Sequence, residues 1–205
     1  MQRRMALLFI LGLSVVVHPI SGDELLIASA ARCANLPDFA QATVPSGYRE
    51  IRIWLMSALS DPDHMLRLAI RDGAVEGTWY VWWGDSDKKY QRSVRRLVDR
   101  EYHCEGMRRC GDVEVCQATF TRTPAWQALY AVLEANGVWT LPDSSTLPPV
   151  DFTVFDGKSM VVETHSVTGR RSYEYDNPEE YPWPEAAKAK VIMDSVYEAY
   201  RMNAR

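Results

Sequence analysis

The sequence has little of what defines several protein classes. Its 205 residues contain four cysteines, too few for a small scaffold held together mainly by disulfides. Eleven glycines and eleven prolines exclude a collagen-like or low-complexity chain. No P-loop, dinucleotide fingerprint, Gly-x-Ser-x-Gly elbow or His-Glu-x-x-His pair occurs, so no motif predicts a cofactor, a metal or an activated nucleophile.

The overall composition is that of a folded globular protein. The chain is 47% hydrophobic and 24% charged, which favours one domain of ordinary size over a disordered chain. We expect a single domain over residues 23–205, which a Pro/Ser/Thr-rich loop near 142–149 could subdivide. The formal charge of −4 argues against nucleic acid as a partner.

The first residues have the layout of a secretory signal. Arg3 and Arg4 precede an apolar run from Met5 to Val17, and small residues follow up to Gly22. This run is shorter than the ~20 residues that a membrane-spanning helix needs. We therefore expect residues 1–22 to be a signal peptide, cleaved after Gly22 or alternatively after Ala30. The processed chain, with a formal charge of −6, would be periplasmic or secreted and not an integral membrane protein.

Export predicts disulfide bonds among the four cysteines. Cys104 and Cys116 lie symmetrically about Cys110, as they would on the two arms of a hairpin. This spacing favours a Cys104–Cys116 bond and leaves Cys33 for Cys110. The alternative is a metal site that uses His103 and Cys104, although C-x5-C-x5-C is not the spacing of a zinc ribbon.

The clearest structural pattern is a β-hairpin around Asp72-Gly73. If Arg71 faces Ala74 across a two-residue turn, the facing pairs on one side are apolar or contain glycine: Ile70–Val75, Leu68–Gly77 and Leu66–Trp79. A strand over 48–59 precedes this hairpin, and further hairpins are predicted over 104–122 and at Asp156-Gly157 and Thr168-Gly169.

Three helices are predicted among these strands, over 87–102, from Pro124 to Asn136-Gly137, and from Pro184 onward. The second helix has Thr123 as its cap and a stripe formed by Trp126, Leu129, Tyr130 and Leu133. Strands joined by tight turns and interspersed with helices predict an α+β domain, in which about three helices pack on an antiparallel sheet.

The last hairpin contains a candidate for catalysis. If Val167 faces Arg170, then Glu163 lies directly opposite Glu174, with His165 on the same face. Two facing carboxylates could raise a carboxyl pKa for acid–base chemistry. The alternative is a solvated face on which the two charges are screened.

Two surfaces are candidates for a partner. Residues 88–109 contain eight basic and three acidic side chains, with Arg92, Arg95 and Arg96 on the predicted helix, which favours an anionic or protein partner. Trp54, Tyr80 and Trp82 share the less apolar face of their strands and would form an aromatic platform if exposed. If a helix covers this face, they belong to the core instead.

Several segments of the C-terminal part carry a resemblance to a known group of proteins. Val138–Asp143, Asp156-Gly157, Tyr173–Pro178 and Pro184–Ala186 resemble segments of uncharacterised exported bacterial proteins. The resemblance covers residues 65–200. It implies an exported bacterial protein and supplies no catalytic residue.

These observations favour an exported, non-catalytic binding protein. One alternative is an envelope hydrolase that uses Glu163, His165 and Glu174, and another is a structural component of the envelope.

Overall fold

The computed structural model describes residues 22–57, 62–84, 94–98, 101–120, 124–151 and 157–203. Within these ranges the chain forms one seven-stranded antiparallel sheet with helices on both faces, which confirms the α+β class. Residues 1–21, the expected signal peptide apart from Gly22, lie outside the described part.

The sheet has the order β4-β5-β3-β2-β1-β6-β7, so β2 is the central strand, and the first and sixth strands are neighbours next to it. Its strands are β1 (Tyr48–Ser57), β2 (Asp63–Arg71), β3 (Ala74–Gly84), β4 (His103–Cys110), β5 (Val113–Thr119), β6 (Lys158–Ser166) and β7 (Gly169–Asp176). The helices are α1 (Gly22–Cys33), α2 (Trp126–Ala135) and α3 (Pro184–Asn203). Residues 94–98 are also helical. In the described ranges, no helix combines the length and the apolarity that crossing a bilayer requires.

The β2–β3 hairpin has the predicted register. Arg71 faces Ala74, and Leu66 faces Trp79. Asp72 and Gly73 both have positive φ, at 49° and 86°, as a type I′ turn demands. This register places Leu66, Leu68 and Ile70 on one face of the sheet.

That face is covered by α2 and α3, and we call it the α2/α3 face. Its core joins apolar side chains of the central strands to the predicted stripes of the two helices. Trp126, Leu129, Tyr130 and Leu133 are all buried, as predicted. The Trp126 ring fills the space above Gly77, where a Cβ would lie 2.3 Å from the ring. Close approach of the helix therefore requires glycine at this position.

The start of α2 differs from the prediction. The helix begins at Trp126, not at Pro124, and its N-cap residue Ala125 makes no side-chain cap hydrogen bond. The Trp126 amide donates instead to the Pro124 carbonyl at 2.8 Å. Thr123, the predicted cap, lies outside the described residues.

The opposite face, here the α1 face, is covered by α1 and the chain that follows it. Ile27, Ala30 and Cys33 pack on Trp54, Met65 and Trp82 in a second buried cluster. This helix was not predicted, because the apolar residues of its sequence do not form one clear stripe. Two of them, Leu25 and Leu26, are exposed in the structure.

Both predicted disulfides are present. Cys33–Cys110 ties α1 to β4, and Cys104–Cys116 links β4 to β5, with Cα separations of 5.6 Å and 5.5 Å. Because Cys104 is bonded to Cys116, it is not a metal ligand, and the alternative with His103 and Cys104 as a metal site is wrong. Disulfides of this kind are typical of proteins in oxidising compartments.

Candidate functional site

The predicted catalytic face is corrected by the register of the last hairpin. The structure pairs Ser166 with Gly169, so Glu163 faces Ser172 and not Glu174. Side-chain hydroxyls accompany this turn: the Ser166 and Thr168 side-chain oxygens lie 2.7 Å apart. The prediction placed Thr168-Gly169 in the turn because glycine is common in hairpin turns. In the structure the turn residues are Val167 and Thr168, and Gly169 begins β7.

The three candidate catalytic side chains have separate surroundings. Glu163 accepts a hydrogen bond from Trp54 Nε1 at 2.7 Å. His165 is buried, with its ring 4.7 Å from that of Phe39. Glu174 faces Val161 across the ladder. The facing pair of carboxylates on which the catalytic hypothesis depended is therefore absent.

The predicted aromatic platform is largely covered. Trp54 and Trp82 are each 1% exposed, and Tyr80 is half-buried. The rings of Trp54 and Trp82 meet edge to face beneath α1, with centroids 6.0 Å apart. Trp54 and Trp82 therefore belong to the core beneath a helix, which was the alternative prediction.

The predicted basic surface is described only in part. Arg95 and Arg96 are exposed on the helical residues 94–98, whereas Arg92 lies outside the described residues. Arg109 on β4 lies 3.7 Å from the Glu114 carboxylate, so some of this positive charge is already compensated.

A second basic region lies where β1 begins and the β6–β7 hairpin turns. A cavity of about 510 Å³ opens there, and we call it the arginine cleft. Among the described residues, its lining contains three arginines, four Ser or Thr hydroxyls, two aromatic rings and no acidic residue: Gly47, Tyr48, Arg49, Trp139, Thr140, Thr164, Ser166, Val167, Thr168, Gly169, Arg170 and Arg171.

The three arginines reach the cleft in different ways. Arg171 donates to the Trp139 and Leu141 carbonyls, which fixes the loop after α2 against β7. Arg49 lies over the Trp139 ring, 5.0 Å from its centroid, and 3.6 Å from the Glu134 carboxylate. Both partners of this ion pair are about half exposed, so the pair is weak and Arg49 can exchange Glu134 for a ligand.

Arg170 is the most available of these cations. It is exposed at the start of β7, opposite His165 in the ladder. Among the described residues it forms no ion pair with an acid. A ligand anion can therefore pair with Arg170 without displacing an acidic side chain.

A smaller cavity of about 350 Å³ adjoins the cleft, lined by Pro45, Ser46, Gly47, Tyr48, Arg71 and Asp72. Gly47 and Tyr48 belong to both cavities. The Arg71 guanidinium lies 5.4 Å from the centre of the Tyr48 ring. Gly47 has φ +77°, and a Cβ there would lie 2.5 Å from Asp72 Oδ1, so glycine lets the two loops meet.

A buried charged network fixes Tyr48 from below. Glu50, 1% exposed, accepts from Arg52 Nε at 2.9 Å and from an Arg67 nitrogen at 2.8 Å. The Tyr48 hydroxyl donates to the same carboxylate. Arg52 also donates to the Pro37 carbonyl at 2.8 Å and lies 3.7 Å from the centre of the Phe39 ring.

The pKa shifts in this network suit a fixed ionic scaffold. Burial alone would raise the pKa of the Glu50 carboxyl, but hydrogen bonds from Arg67 and Tyr48 and the charge of Arg52 lower it below its usual value. Burial and Glu50 raise the pKa of the Tyr48 hydroxyl. Glu50 therefore stays ionised and Tyr48 stays protonated near neutral pH, so neither is poised to transfer a proton.

Sequence reasoning missed the arginine cleft because its cations are far apart in the chain. Arg49 lies on the first strand, whereas Arg170 and Arg171 lie on the last. The available signal was the Arg170-Arg171 doublet beside a hairpin turn, since adjacent strand residues project to opposite faces and can line both sides of a sheet end.

Comparison of the chain with protein-family models, with curated proteins and with solved structures finds no match. Function is therefore inferred from the geometry.

Proposed function

We propose that this chain is an exported binding protein without catalysis of its own, and that it holds an anionic ligand in the arginine cleft. The observation that carries the proposal is a cavity of about 510 Å³ lined by three arginines and no acid, in a chain whose formal charge is −4. Guanidinium groups bind carboxylates and phosphates through charge-assisted, bidentate hydrogen bonds.

The disulfides and the N-terminus support export. Cys33, Cys104, Cys110 and Cys116 are all bonded, which fits the periplasm or the exterior of the cell. Of the two cleavage sites, the one after Gly22 keeps Ile27 and Ala30, the buried residues by which α1 packs on the sheet. Cleavage after Ala30 would remove both buried residues, so we expect the mature chain to begin at Asp23. The intact mass of the secreted protein measures this directly.

Binding to a simple polyanion tests the cleft. The oxidised protein is titrated with dextran sulfate at low ionic strength, where charge attraction is least screened, and with neutral dextran as the ligand control. Arg170→Glu is expected to weaken dextran sulfate binding about tenfold or more, because it reverses an exposed cleft cation that forms no ion pair among the described residues. Arg95→Glu is the matched control, since it makes the same charge change on the helical residues 94–98.

The control also separates the two basic surfaces. Equal weakening by Arg170→Glu and Arg95→Glu would mean that only net charge matters. Loss with Arg95→Glu alone would place the site on residues 88–109, and the cleft proposal would be wrong. Both substitutions replace exposed side chains, so unfolding midpoints close to that of the parent protein are expected.

A further inference from the structure

We infer that the ligand of the arginine cleft is an extended acidic oligosaccharide, which runs across both cavities at this end of the sheet. The inference rests on the proposed function and specifies its ligand. It depends on the continuity of the two cavities and on the chemistry of their walls.

The continuity of the two cavities is inferred from their shared wall. Gly47 and Tyr48 line both the arginine cleft and the smaller cavity, so a ligand that follows the start of β1 would pass from one cavity to the other. Arg71 and the acidic Asp72 lie in the smaller part, and Arg49 and Arg170 lie in the larger part. Cations spaced along a groove fit a ligand that carries one negative charge on each of several units, and a single small anion would use only one part.

The lining favours a sugar over a peptide. Between the arginines, the larger cavity presents the hydroxyls of Thr140, Thr164, Ser166 and Thr168, together with the rings of Tyr48 and Trp139. Its only aliphatic side chain is Val167. Hydroxyls can bind the hydroxyls of a sugar, and aromatic rings offer flat apolar surface with a polar edge. A peptide groove would instead need apolar pockets for alternate side chains.

Tyr48 is the positioning residue at the bend. Its hydroxyl bonds to Glu50 and to Arg67, the latter at 3.1 Å, while its ring lies beside the Arg71 guanidinium. The buried network thereby fixes the wall on which the two cavities meet. A wall that is already rigid lowers the conformational-entropy cost of binding.

Oligogalacturonates of one to six units test the inference, since each unit carries one carboxylate. Affinity is expected to rise at least about tenfold from the monomer to the hexamer. Arg71→Gln should remove most of this gain by weakening hexamer binding far more than monomer binding, whereas Arg170→Gln should weaken every length. Maltohexaose, which has no carboxylate, controls for the sugar, and hexaglutamate controls for the charge.

Each contrary result has a distinct meaning. If the monomer binds as tightly as the hexamer, the ligand is a small anion. If hexaglutamate binds as tightly as the hexamer, the groove takes an acidic peptide. If no oligogalacturonate binds while dextran sulfate binding still depends on Arg170, the glycan class is wrong. In all three cases the oligosaccharide inference is wrong and the proposed function stands. If dextran sulfate binding does not depend on Arg170, both the inference and the proposed function are wrong.

Discussion

The two faces of the sheet reach a similar degree of burial by different chemistry. On the α2/α3 face, Ile51, Leu66 and Trp79 contact apolar helix stripes, and the hydrophobic effect suffices. On the α1 face, the same strands place Glu50 and Arg52 at 1% and 2% exposure, where each charge depends on its partners. A substitution on the α2/α3 face therefore removes apolar contacts, whereas a substitution on the α1 face can leave a buried charge without its partner.

The largest expected loss of stability comes from removing the disulfide that joins α1 to β4. The Cys33–Cys110 bond spans 77 residues of sequence and Cys104–Cys116 spans 12. The chain-entropy relation then predicts losses of about 4.5 and about 3 kcal/mol when each pair is replaced by alanines. Urea denaturation measures both. Only the Cys33→Ala/Cys110→Ala variant should increase quenching of tryptophan fluorescence, because α1 covers Trp54 and Trp82. Equal quenching in both variants would show that α1 does not depend on its tether.

Glu50→Ala is the second largest effect, at about 3–5 kcal/mol, because it leaves the buried Arg52 without its carboxylate. Glu76→Ala is the matched control: it lies on the same face and is exposed, so a change within about 0.5 kcal/mol is expected. Denaturant midpoints at neutral pH measure both variants.

The triple substitution Glu50→Leu/Arg52→Met/Arg67→Met sharpens the comparison between the faces. It removes all three charges together and makes the α1 face resemble the α2/α3 face. We expect it to recover most of the stability lost in Glu50→Ala, as buried ionic triads replaced by apolar residues do. A triple variant less stable than Glu50→Ala would contradict the view that the stranded charge is what costs stability.

These two faces also separate what the sequence could predict from what it could not. The Asp72-Gly73 hairpin, the α2 stripe and both disulfides follow from local signals: a turn dipeptide, a helical period and a symmetric cysteine spacing. The charged network follows from none of these, because Glu50, Arg52 and Arg67 alternate with apolar residues as side chains facing water do. Pro37 and Phe39, in the chain after α1, contact Arg52, which is buried together with Glu50.

The candidate site was harder to predict for a related reason. The β6–β7 register depended on the choice between Thr168-Gly169 and Val167-Thr168 as the turn, and the structure has Val167-Thr168, with the Ser166 and Thr168 hydroxyls in contact. The arginine cleft brings β1 together with β6 and β7, and no local pattern predicts that strands so far apart in the chain become neighbours in a sheet.

Gly77→Ala tests the packing of the α2/α3 face. A Cβ would meet the Trp126 ring, so α2 must shift, at a cost of about 1–3 kcal/mol. The double variant Gly77→Ala/Trp126→Leu should show a favourable coupling energy, because leucine leaves room for the new methyl group. Additive losses in urea denaturation would mean that the ring does not set the approach of α2.

The smallest effect concerns His64, a titratable group within the aromatic part of the α2/α3 face. Trp79 Nε1 donates to its Nδ1 at 3.3 Å, and the rings of Tyr102, Tyr197 and Tyr200 surround it. Burial lowers the pKa of His64 from 6.5 to about 4. The unfolded chain therefore takes up a proton below pH 6.5 that the folded chain resists until about pH 4.

Stability is accordingly expected to be full above pH 6.5 and to fall as the pH drops toward 4, by about 2 kcal/mol between pH 7 and pH 5. His64→Gln keeps an acceptor for Trp79 but cannot take up this proton, so its stability should change less over the same interval. The measurement is the difference between the two proteins in urea denaturation at the two pH values, which cancels the carboxylates common to both. Parallel pH profiles would show that His64 is protonated in the folded chain, and that this face tolerates a buried charge as the α1 face does.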